Sequence, residues 1–591
     1  MKLSRISLAI LPLLSLCSVQ AAVYNVVEVG EVPELKSTYA SAINDAGDVV
    51  FNGAIKVTET PIGSGTQVTV FEYYNFPIRL EEIDFEDEDV QAFFTDEQLA
   101  DISNGNIDAD IQNILLRINP TNQPIGNSIG YLRAGNAEPE NLVLVDSSLT
   151  RGNSEYFYGI NASGVTVGTA TSPFTRQSFT PEATEDAPDP ETVERWVPDL
   201  PYQSAAAIVA GSAISLLPPY VEYGGGVSAA NNISDNGIVA GFGSIGLVDE
   251  AIESLEENCD GANQPVNTCY YNYHTSSSTT PGTYNQQLSA FGYTQRGLLW
   301  QLNGSSVSAP TVLGFLGDKN SQAAHSKEGI RAINYSSQAF DVNNAGIAVG
   351  VSLYSDSDRL AATTDQIYRT EHATLFAEGE ALPMVDPTEW QNSRAVAINN
   401  NDIAVGYAIK TINSANRSKL FYYDYPTDKT TFVTGFFSSS TTVPQAINDS
   451  NQVVGSAEVI IAGTTTRRRH GFIYDIESDS FRDLNTLIAC DSPYTVVDAN
   501  DINNNGVVLA TAIVSREARD VMGDVVVDAQ GNPVMEEVTT TIKLQPVANG
   551  EPDDCAGNEQ EYERNGGSTG LGSLVIGAAL LWWRRRHTAW R

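Results

Sequence analysis

The chain has 591 residues, of which 33 are Lys or Arg and 73 are Asp or Glu, so its formal net charge is −40. This balance disfavours nucleic acid as a partner, because a polyanion is repelled by most of such a surface. Part of the excess is local, in the acidic run 81–89, and runs of this kind are typical of solvated loops.

The first residues predict an export signal. Lys2 and Arg5 precede an apolar run over 6–16, and Ala21 and Ala22 supply small residues where a signal peptidase cuts. Residues 1–21 are therefore predicted to be a signal peptide, with signal peptidase as a processing partner and passage through the periplasm. Cys17 follows Leu16, which disfavours a lipoprotein signal.

A nine-residue pattern recurs seven times. Its first residue is Ile or Val, its second is usually Asn, its fifth is usually Gly, and its last two are commonly Val and Gly, with variable residues between them. The seven copies begin at Ile43, Ile160, Ile233, Val342, Ile398, Ile447 and Ile502. Recurrence of this kind predicts stacked copies of one supersecondary unit.

Each copy reads as a β-hairpin with a tight turn. The second residue is Asn in six copies, and an Asn side chain can bond the backbone two residues further on. These residues are Asn44, Asn161, Asn343, Asn399, Asn448 and Asn503. The fifth residue is Gly47, Gly164, Gly237, Gly346 or Gly506 in five copies, and Asp402 and Asn451 replace it in the others. Since Asn and Asp tolerate positive φ best after Gly, the fifth position is predicted to be left-handed.

Short aromatic or aliphatic strands such as 296–300, 372–376 and 418–423 alternate with these hairpins. Several short strands per unit are typical of an all-β fold of the β-propeller class, and residues 22–548 are predicted to form it. Seven blades are the preferred count, and six blades, eight blades or an open β-solenoid are alternatives.

The wide spacing of the early copies requires insertions or a degenerate copy. Loop and short helical insertions are expected near 80–118, 174–201 and 250–290. Thr95 to Gln98 has the form of a helix capping box, and 180–201 is expected to be an irregular loop.

Four cysteines remain after signal removal, in a chain that crosses an oxidising compartment. Proximity favours Cys259 with Cys269, which leaves Cys490 with Cys555. Their spacing and the lack of a nearby histidine pair disfavour zinc.

The search for a catalytic, cofactor or metal site yields no candidate residues. Residues 126–130 match G-x-S-x-G but follow a turn, and a nucleophile elbow needs a buried strand there. Residues 501–506 fit the first half of a calcium loop, yet position twelve is Ala512 where a Glu belongs, which favours turn chemistry. His372 and His470 occupy the same place in two repeats, where a structural hydrogen bond is the expected role.

The C-terminus predicts a sorting segment. Residues 549–565 read as a flexible acidic spacer, and 566–591 comprise Gly566, Gly567 and Ser568, an apolar stretch and three arginines. A plain membrane anchor is one interpretation, although the 13-residue apolar stretch over 571–583 is shorter than the roughly 20 residues that a spanning helix needs. The pattern resembles the GlyGly-CTERM signal. That resemblance implies cleavage near the glycines by a rhombosortase-type protease, type II secretion and retention at the cell surface of a Gram-negative bacterium.

The repeat with H-x-F-I-Y over 470–474 and D-L-x-T-L over 483–487 resembles the extracellular HAF repeat. A chain of this length with such repeats and such a C-terminus resembles the DUF3466 family, over most of the mature chain and most strongly over 342–509. The resemblance implies an architecture and a cellular address, with no catalytic residues to carry over. We expect a secreted binding or interaction protein with an unknown surface or extracellular ligand. A propeller hydrolase or lyase acting on glycans and a purely structural envelope protein are the alternatives. Tyr270, Tyr271 and Tyr273 either form a contact surface or pack against a blade edge.

Overall fold

The computed structural model describes residues 23–552 apart from 33–34, 55, 63–65, 73–82, 104–110, 112–113, 116–127, 146–152, 184–187, 260–263, 277–292, 320–332, 361–366, 461–465, 519–524 and 529. Its strands, numbered β1 to β34 along the chain, form seven sheets of four or five strands and two separate two-stranded hairpins. The seven larger sheets are the blades of a β-propeller. The predicted fold class and the preferred blade count are confirmed.

Each blade begins at the axis with a strand that ends on the first residue of a sequence repeat. These innermost strands are β2 (Ser37–Ile43), β8 (Glu155–Ile160), β14 (Ser228–Ile233), β20 (Ser337–Val342), β24 (Asn392–Ile398), β28 (Thr442–Ile447) and β32 (Thr495–Ile502). The repeat turn leads into the second strand. The second strands are β3 (Val49–Ala54), β9 (Thr166–Thr171), β15 (Ile238–Leu247), β21 (Ala348–Leu360), β25 (Ile403–Ile412), β29 (Gln452–Ile460) and β33 (Val508–Glu517). One repeat therefore makes one blade, and no degenerate copy is needed.

The third and fourth strands complete each blade towards the outside. The third strands are β6 (Ser128–Arg133), β12 (Gln203–Val209), β16 (Tyr293–Asn303), β22 (Ile367–Ala377), β26 (Ala415–Asp424), β30 (Arg467–Asp475) and β34 (Met535–Pro546). The fourth strands are β7 (Glu140–Leu142), β13 (Ser212–Leu216), β17 (Ser306–Val307), β23 (Glu380–Pro383), β27 (Lys429–Phe432), β31 (Ser480–Asp483) and β1 (Tyr24–Glu28). We number the blades 1 to 7 in the order of their innermost strands.

The ring is closed by the N-terminal strand. Strand β1 pairs antiparallel with β34, so blade 7 combines the first described strand of the chain with its last. Within that blade Glu28 accepts hydrogen bonds from Arg516, Thr540 and Tyr494. Closure therefore joins the two ends of the propeller by main-chain and side-chain bonds.

A separate apolar cluster fills each of the seven junctions between neighbouring blades. Between blades 5 and 6, for example, Val405 and Leu420 pack with Val453 and Phe472, all at most 1% exposed. Burial of apolar surface stabilises folds by about 25 cal/mol per Å² removed from water, so the ring depends on all seven junctions.

The insertions contain hairpins and short helices. Strands β4 (Lys56–Ile62) and β5 (Thr66–Glu72) form a hairpin, as do β10 (Phe174–Phe179) and β11 (Val193–Pro198). The expectation of an irregular loop over 180–201 is wrong in its last third, because β11 pairs along its whole length with β10. Two further short strands, β18 (Thr311–Val312) and β19 (Gly317–Asp318), add to blades 3 and 4.

The helices also lie in insertions. They are α1 (Glu88–Gln91), α2 (Asp96–Ser103), the single turn α3 (Glu222–Gly225), α4 (Asp249–Cys259) and α5 (Val266–Ser276), with 3-10 turns at Tyr425–Thr427 and Leu484–Thr486. The predicted capping box is present before α2, where Thr95 and Gln98 exchange side-chain to backbone hydrogen bonds of 3.0 and 3.2 Å. No helix in the described ranges combines the length and apolar composition that a membrane crossing requires.

The strand order gives the propeller two different faces. First and second strands meet at the repeat turns, so all seven repeat turns lie on one side, which we call the turn face. Second and third strands connect on the other side, the insertion face. Both hairpins and helices α1, α2, α4 and α5 lie in such second-to-third connections, in blades 1, 2 and 3.

Candidate functional site

The seven repeat turns have one backbone conformation. Their fifth residues all have positive φ, with values of 85° at Gly47, 75° at Gly164, 77° at Gly237, 83° at Gly346, 60° at Asp402, 59° at Asn451 and 73° at Gly506. The left-handed conformation predicted from the exchange of Gly for Asp and Asn is therefore present in every turn.

The Asn at the second position closes its own turn. In blade 5, Asn399 Oδ1 accepts hydrogen bonds from the N–H groups of Asn401 and Ile403, at 3.1 and 3.0 Å. The same pair of bonds forms around Asn161, Asn343, Asn448 and Asn503. Asn44 accepts the second of them, from Asp48 N–H.

The same side chains also join one blade to the next. In each case Nδ2 donates to a main-chain carbonyl at the second repeat position of the following blade. These bonds run from Asn44 to Asn161 (3.2 Å), Asn161 to Ser234 (3.3 Å), Asn343 to Asn399 (3.3 Å), Asn399 to Asn448 (3.0 Å), Asn448 to Asn503 (3.1 Å) and Asn503 to Asn44 (3.0 Å). We call these six residues the asparagine ring. All are at most 5% exposed, so each bond satisfies a buried polar group.

Blade 3 is the exception, since its repeat carries Ser234 in place of Asn. The Ser234 side chain accepts within its own turn, from Ile238 N–H. The junction from blade 3 to blade 4 instead contains Asn232, whose Nδ2 donates to Asp341 Oδ1 at 2.7 Å.

The two turns without Gly gain an extra bond. Asn343 Nδ2 donates to Asp402 Oδ1 at 2.7 Å, and Asn399 Nδ2 donates to Asn451 Oδ1 at 2.8 Å. Asp402 and Asn451 therefore supply acceptors between blades 4 and 5 and between blades 5 and 6.

Every innermost strand contains a β-bulge at the same point, two residues before the repeat. The strand register skips one residue there in all seven blades. The skipped residues, which we call the bulge residues, are Ser41, Tyr158, Asn231, Phe340, Val396, Gln445 and Asn500. A bulge turns a side chain out of its ladder position, and here all seven line a cavity on the axis.

The ninth residue of the repeat explains how this backbone packs. In five blades it is Gly, and a Cβ added there would lie about 2 Å from a carbonyl oxygen of the innermost strand, for example 2.0 Å from Gln338 O at Gly350. The predicted close approach of backbone at this glycine is present in these five blades.

The axial cavity has a volume of about 540 Å³ and is formed by innermost strands and turns of all seven blades. Its lining includes the carboxylates of Asp45, Asp235, Asp341, Asp449 and Asp501. None of its described lining residues is Lys, Arg or His. The cavity therefore offers carboxylates, carboxamides and two aromatic side chains, and no cationic group.

Two of these carboxylates are buried between blades. Asp341 accepts hydrogen bonds from the N–H groups of Val342 and Ile398, both 2.8 Å long, besides the bond from Asn232. Burial raises the pKa of Asp341 to about 7, against these hydrogen bonds, which lower it. Asp501 likewise accepts from Ile43 N–H and Ile502 N–H, and burial raises its pKa to about 6.

Of the remaining motifs from the sequence, the calcium-like sequence contributes Asp501 to the cavity wall, whereas the described residues of the G-x-S-x-G match do not line the cavity. Ser128, the central residue of the G-x-S-x-G match, is buried at the start of strand β6, so it is not on a nucleophile elbow. The oxygens of Asp501 in the calcium-like sequence accept main-chain N–H groups, which supports turn chemistry. Among the described residues no group of three or more His, Cys, Asp or Glu side chains is placed to hold a metal ion.

The two repeat histidines have structural partners. His470 Nδ1 lies 2.7 Å from Asp483 Oδ2, which joins the H-x-F-I-Y segment to the D-L-x-T-L segment. His372 lies 3.2 Å from Ser393 Oγ and 2.8 Å from Thr370 Oγ1, and burial lowers its pKa to about 4.

The cysteines and tyrosines of the blade 3 insertion form one packed unit. A disulfide joins Cys259 at the end of α4 to Cys269 in α5. Tyr270 and Tyr273 pack on the core of this unit, and Tyr271 makes edge contacts with Phe174 and Tyr202. Of the two interpretations of these tyrosines, the structure favours packing.

The terminal predictions lie outside the described residues. This holds for the signal peptide over 1–21, for Cys555, for most of the acidic spacer, and for Gly566, Gly567 and Ser568. Cys490 is disulfide-bonded.

A family model described as "Protein of unknown function (DUF3466)" matches residues 1–586. The chain belongs to this family. No curated protein matches it. Among solved structures, the β-propeller domain of the Trilobed protease from Pyrococcus furiosus, described as having an open velcro topology, is 8% identical with a TM-score of 0.29. That match covers 67% of this chain and 99% of the other.

Two further structures are similar at the same level. Dipeptidyl peptidase 4 of Porphyromonas gingivalis is 9% identical with a TM-score of 0.30, over 65% of this chain and 47% of the other. Acylaminoacyl peptidase of Pyrococcus horikoshii is 8% identical with a TM-score of 0.28, over 62% and 50%. No activity is inferred from these similarities.

Sequence reasoning missed the bulge residues and the contacts between blades. The bulge residues have no common chemistry, so no repeat pattern marks them. The asparagine ring did leave a signal in the sequence, which is the recurrence of Asn at the second repeat position in six copies. A turn alone accepts Ser or Asp at that position as readily as Asn. Of these three side chains, only Asn has its acceptor and its donor on separate atoms, so Oδ1 closes its own turn while Nδ2 reaches the next blade.

Proposed function

We propose that the mature chain is an exported, surface-retained binding protein whose axial cavity takes a small, hydroxyl-rich ligand without negative charge. The observation that carries this proposal is the convergence of seven bulge residues on one cavity. Around them the repeat keeps the same turn and the same hydrogen bonds, while the bulge residues differ from blade to blade. Cavity-lining residues that differ while the adjoining turn stays constant are the pattern of a ligand site on a common scaffold.

The bulge residues supply the chemistry that a sugar requires. Tyr158 and Phe340 present aromatic side chains, against which the C–H face of a sugar ring stacks. The Arg394 guanidinium lies 4.8 Å from the centre of the Phe340 ring, so a sugar would stack on the other face of that ring. Asn231, Gln445 and Asn500 are partly exposed at the cavity, and each uses one end of its amide within the protein, in bonds to Ala339 O, to Asp498 Oδ2 and from Thr511. The other end of each amide is the group that would meet a sugar hydroxyl. The volume of about 540 Å³ falls within the usual range of about 300–1,000 Å³ for small-ligand sites.

The charge of the cavity restricts the ligand further. Asp45, Asp235 and Asp449 surround the turn-face mouth, and no cation in the lining offsets them. An anionic ligand would be repelled in a site shielded from solvent. Neutral or amine-bearing sugars therefore fit, and acidic sugars do not.

Binding without turnover is favoured by the state of the buried carboxylates. A general acid or base must reach its substrate with a free oxygen. The oxygens of Asp341 and Asp501 accept main-chain N–H groups from their own and the following blade, and Asp341 is 7% exposed. Their raised pKa values follow from burial at a blade junction and do not require a catalytic role.

The proposal includes the localisation of the protein, which is export and retention at the cell surface. The signal-peptide pattern supports export, and the glycines, apolar stretch and arginines of 566–591 support cleavage by a rhombosortase-type protease after type II secretion. The test compares the C-terminus of the mature protein in cells with and without an active sorting protease. A truncated C-terminus only in the first supports the proposal, and the same C-terminus in both contradicts it.

The ligand is tested by titrating the mature chain with neutral, amine-bearing and acidic oligosaccharides and following heat or fluorescence. We expect a neutral or amine-bearing sugar to bind, with at least tenfold weaker binding in Phe340→Ala and Gln445→Ala. Glu389→Gln, a change of an exposed residue in the connection from blade 4 to blade 5 on the insertion face, is the matched control and should bind as the wild type.

Equal binding by all three variants would place the ligand elsewhere. Preference for acidic sugars that is weakened by Phe340→Ala and Gln445→Ala would contradict the charge argument. Release of a shorter product from the bound sugar would favour a glycan hydrolase or lyase instead.

A further inference from the structure

The insertion face of blades 5 and 6 concentrates positive charge in a chain whose net charge is −40. Six cations lie at the ends of the second and third strands of these two blades. They are Lys410, Arg417, Lys419, Arg467, Arg468 and Arg469, which we call the basic platform. All six lie within seven residues of a second-to-third strand connection.

One carboxylate organises the centre of the platform. Glu458 accepts from Arg417 Nη1 at 3.0 and 3.1 Å and from Arg467 Nη1 at 2.5 Å. It also accepts from the main-chain N–H of Thr441. A single negative charge thus holds two guanidinium groups from neighbouring blades in place.

Main-chain carbonyls in the connection between blades 5 and 6 bind two of the platform cations. Lys419 Nζ donates to the carbonyls of Ser438 and Ser440, both at 3.0 Å, and Arg467 Nη1 donates to the carbonyl of Ser439 at 2.9 Å. These carbonyls carry no formal charge, so they order the cations without neutralising them.

The outer cations remain exposed. Arg468, Arg469 and Lys410 are all solvent-exposed, and Lys410 lies directly opposite Arg417 in the β-ladder. Like charges directly opposite each other destabilise a sheet. Glu458 offsets the charge of Arg417 here, and the exposed ammonium of Lys410 faces solvent, where an anionic ligand could meet it.

Aromatic rings underlie the cations. Arg467 lies 5.1 Å from the centre of the Phe437 ring, and Lys410 lies 5.3 Å from that of Trp390. Trp390 stacks on Phe432 at 4.3 Å. The rings fix the direction of long side chains that would otherwise lose much conformational freedom on binding.

We propose that the basic platform is a docking surface for an anionic polysaccharide, a glycan that carries carboxylate or phosphate groups along its length. The three arginines of blade 6 and the three cations of blade 5 spread positive charge over two neighbouring blades, as a polymer with repeated charges requires. Arginine binds carboxylate and phosphate through two parallel hydrogen bonds, which favours it over lysine at such a surface.

The surroundings favour a glycan over the two other common polyanions. A membrane surface is normally met by exposed apolar side chains, and among the described residues Phe432 is the only large exposed one beside the platform. Nucleic acid carries about one charge per 1.7 Å of duplex, so its repulsion by the remaining surface of this acidic chain is greater than that of a glycan with more widely spaced charges. Asp498 of blade 7 interacts electrostatically with Arg469, so a carboxylate borders the platform on that side.

The experiment measures binding of the full mature chain to polygalacturonate, with neutral dextran as the uncharged comparison. Vesicles of phosphatidylglycerol and phosphatidylcholine, and duplex DNA, are the other two arms. We expect binding to polygalacturonate at low salt and at least a tenfold loss between about 50 and 300 mM salt, whereas any binding of neutral dextran at the axial cavity should not depend on salt.

Two double variants separate this site from general electrostatics. Arg468→Glu with Arg469→Glu should weaken polygalacturonate binding at least tenfold. Lys429→Glu with Arg482→Glu changes the same charge on exposed residues of the fourth strands of the same blades and should weaken it less than twofold. Thermal unfolding checks that both variants are folded, and Arg468→Ala with Arg469→Ala replaces the first if it is not.

The proposal is overturned by equal losses in the two double variants, by absence of polygalacturonate binding, or by dextran binding that Arg468→Glu with Arg469→Glu weakens as much as polygalacturonate binding. Tighter binding to the vesicles or to DNA would also overturn it, in favour of a membrane or a nucleic-acid surface.

Discussion

The turn face and the insertion face are built from the same seven blades and differ in almost every other respect. On the turn face each blade contributes the same tight turn, and six asparagines bond one blade to the next. On the insertion face the connections range from two residues in blade 5 to insertions with hairpins and helices in blades 1, 2 and 3.

This difference shows where the repeat is constrained. Residues repeat where they must satisfy a neighbour in the adjacent blade, because a blade that broke the pattern would leave a buried group without a partner. The insertion face has no such ring, so its connections changed length freely. Both proposed binding sites lie where this constraint is absent, at the bulges inside the ring and on the insertion face outside it.

The largest expected effect comes from breaking the asparagine ring at one residue. In Asn399→Asp the turn acceptor stays, but the donor to Asn448 O and Asn451 Oδ1 is lost and a charge is buried. We expect the free energy of unfolding to fall by about 3–4 kcal/mol, measured by urea denaturation. Asn416→Asp, in an exposed hairpin on the insertion face, is the control and should cost less than about 0.5 kcal/mol. Similar losses in both would mean that the ring adds little.

The second expected effect is a pH dependence of the free energy of unfolding that comes from the turn-face junctions. The folded chain keeps a proton on Asp341 up to about pH 7, whereas the unfolded chain releases it near the ordinary pKa of 3.8. The free energy of unfolding should therefore rise as the pH falls from 7.5 to 5, by about 2–3 kcal/mol from Asp341, and this gain is lost as the pH rises through 7.

Asp341→Asn isolates this contribution, since groups such as His372 titrate in both proteins. Denaturation at several pH values should show a shallower slope in the variant between pH 5 and 7.5. The same slope in both proteins would mean that Asp341 is ionised in the folded chain throughout this range.

A smaller and more local effect is expected on the insertion face. The disulfide between Cys259 and Cys269 closes a loop with a sequence separation of 10 residues and ties α4 to α5. Replacing both cysteines by Ser should destabilise that unit by about 2 kcal/mol, seen as faster amide exchange in the two helices. Exchange in the seven repeat turns should stay unchanged. Faster exchange in the turns would show that the faces are coupled.

The smallest expected effect concerns blade 3, where Ser234 leaves the asparagine ring incomplete. Ser234→Asn would place a donor where blade 3 lacks one, facing the blade 4 turn that begins with Val342 and Asn343. We expect a gain of about 0.5–1 kcal/mol in the free energy of unfolding by urea denaturation. A loss would show that the bond from Asn232 to Asp341 already occupies that space.

Much of the fold can be predicted from the sequence, because the same repeat pattern occurs seven times. The left-handed turn was predictable from the exchange of Gly for Asp402 and Asn451, and the blade count from the number of copies. The contacts between blades were not, since they join residues 49 to 459 positions apart, such as Asn399 to Asn448 and Asn503 to Asn44.

The candidate site was harder to predict than the fold. Ser41, Tyr158 and Phe340 share a position but no chemistry, so only the register of the strands reveals that they face one cavity. The basic platform was hidden for another reason. Its cations come from two separate repeats, and only Arg467 to Arg469 form a visible run in the sequence.

The most direct test of the central claim is amide hydrogen exchange in Asn399→Ser, followed turn by turn. Ser keeps an acceptor for the blade 5 turn, as Ser234 does in blade 3, but it cannot reach the blade 6 carbonyl. The account predicts faster exchange at Asn448 to Gln452 in blade 6 as well as in the altered turn, with no change at Asn161 to Val165 in blade 2. Changes confined to the altered turn would contradict the claim that these asparagines hold neighbouring blades together.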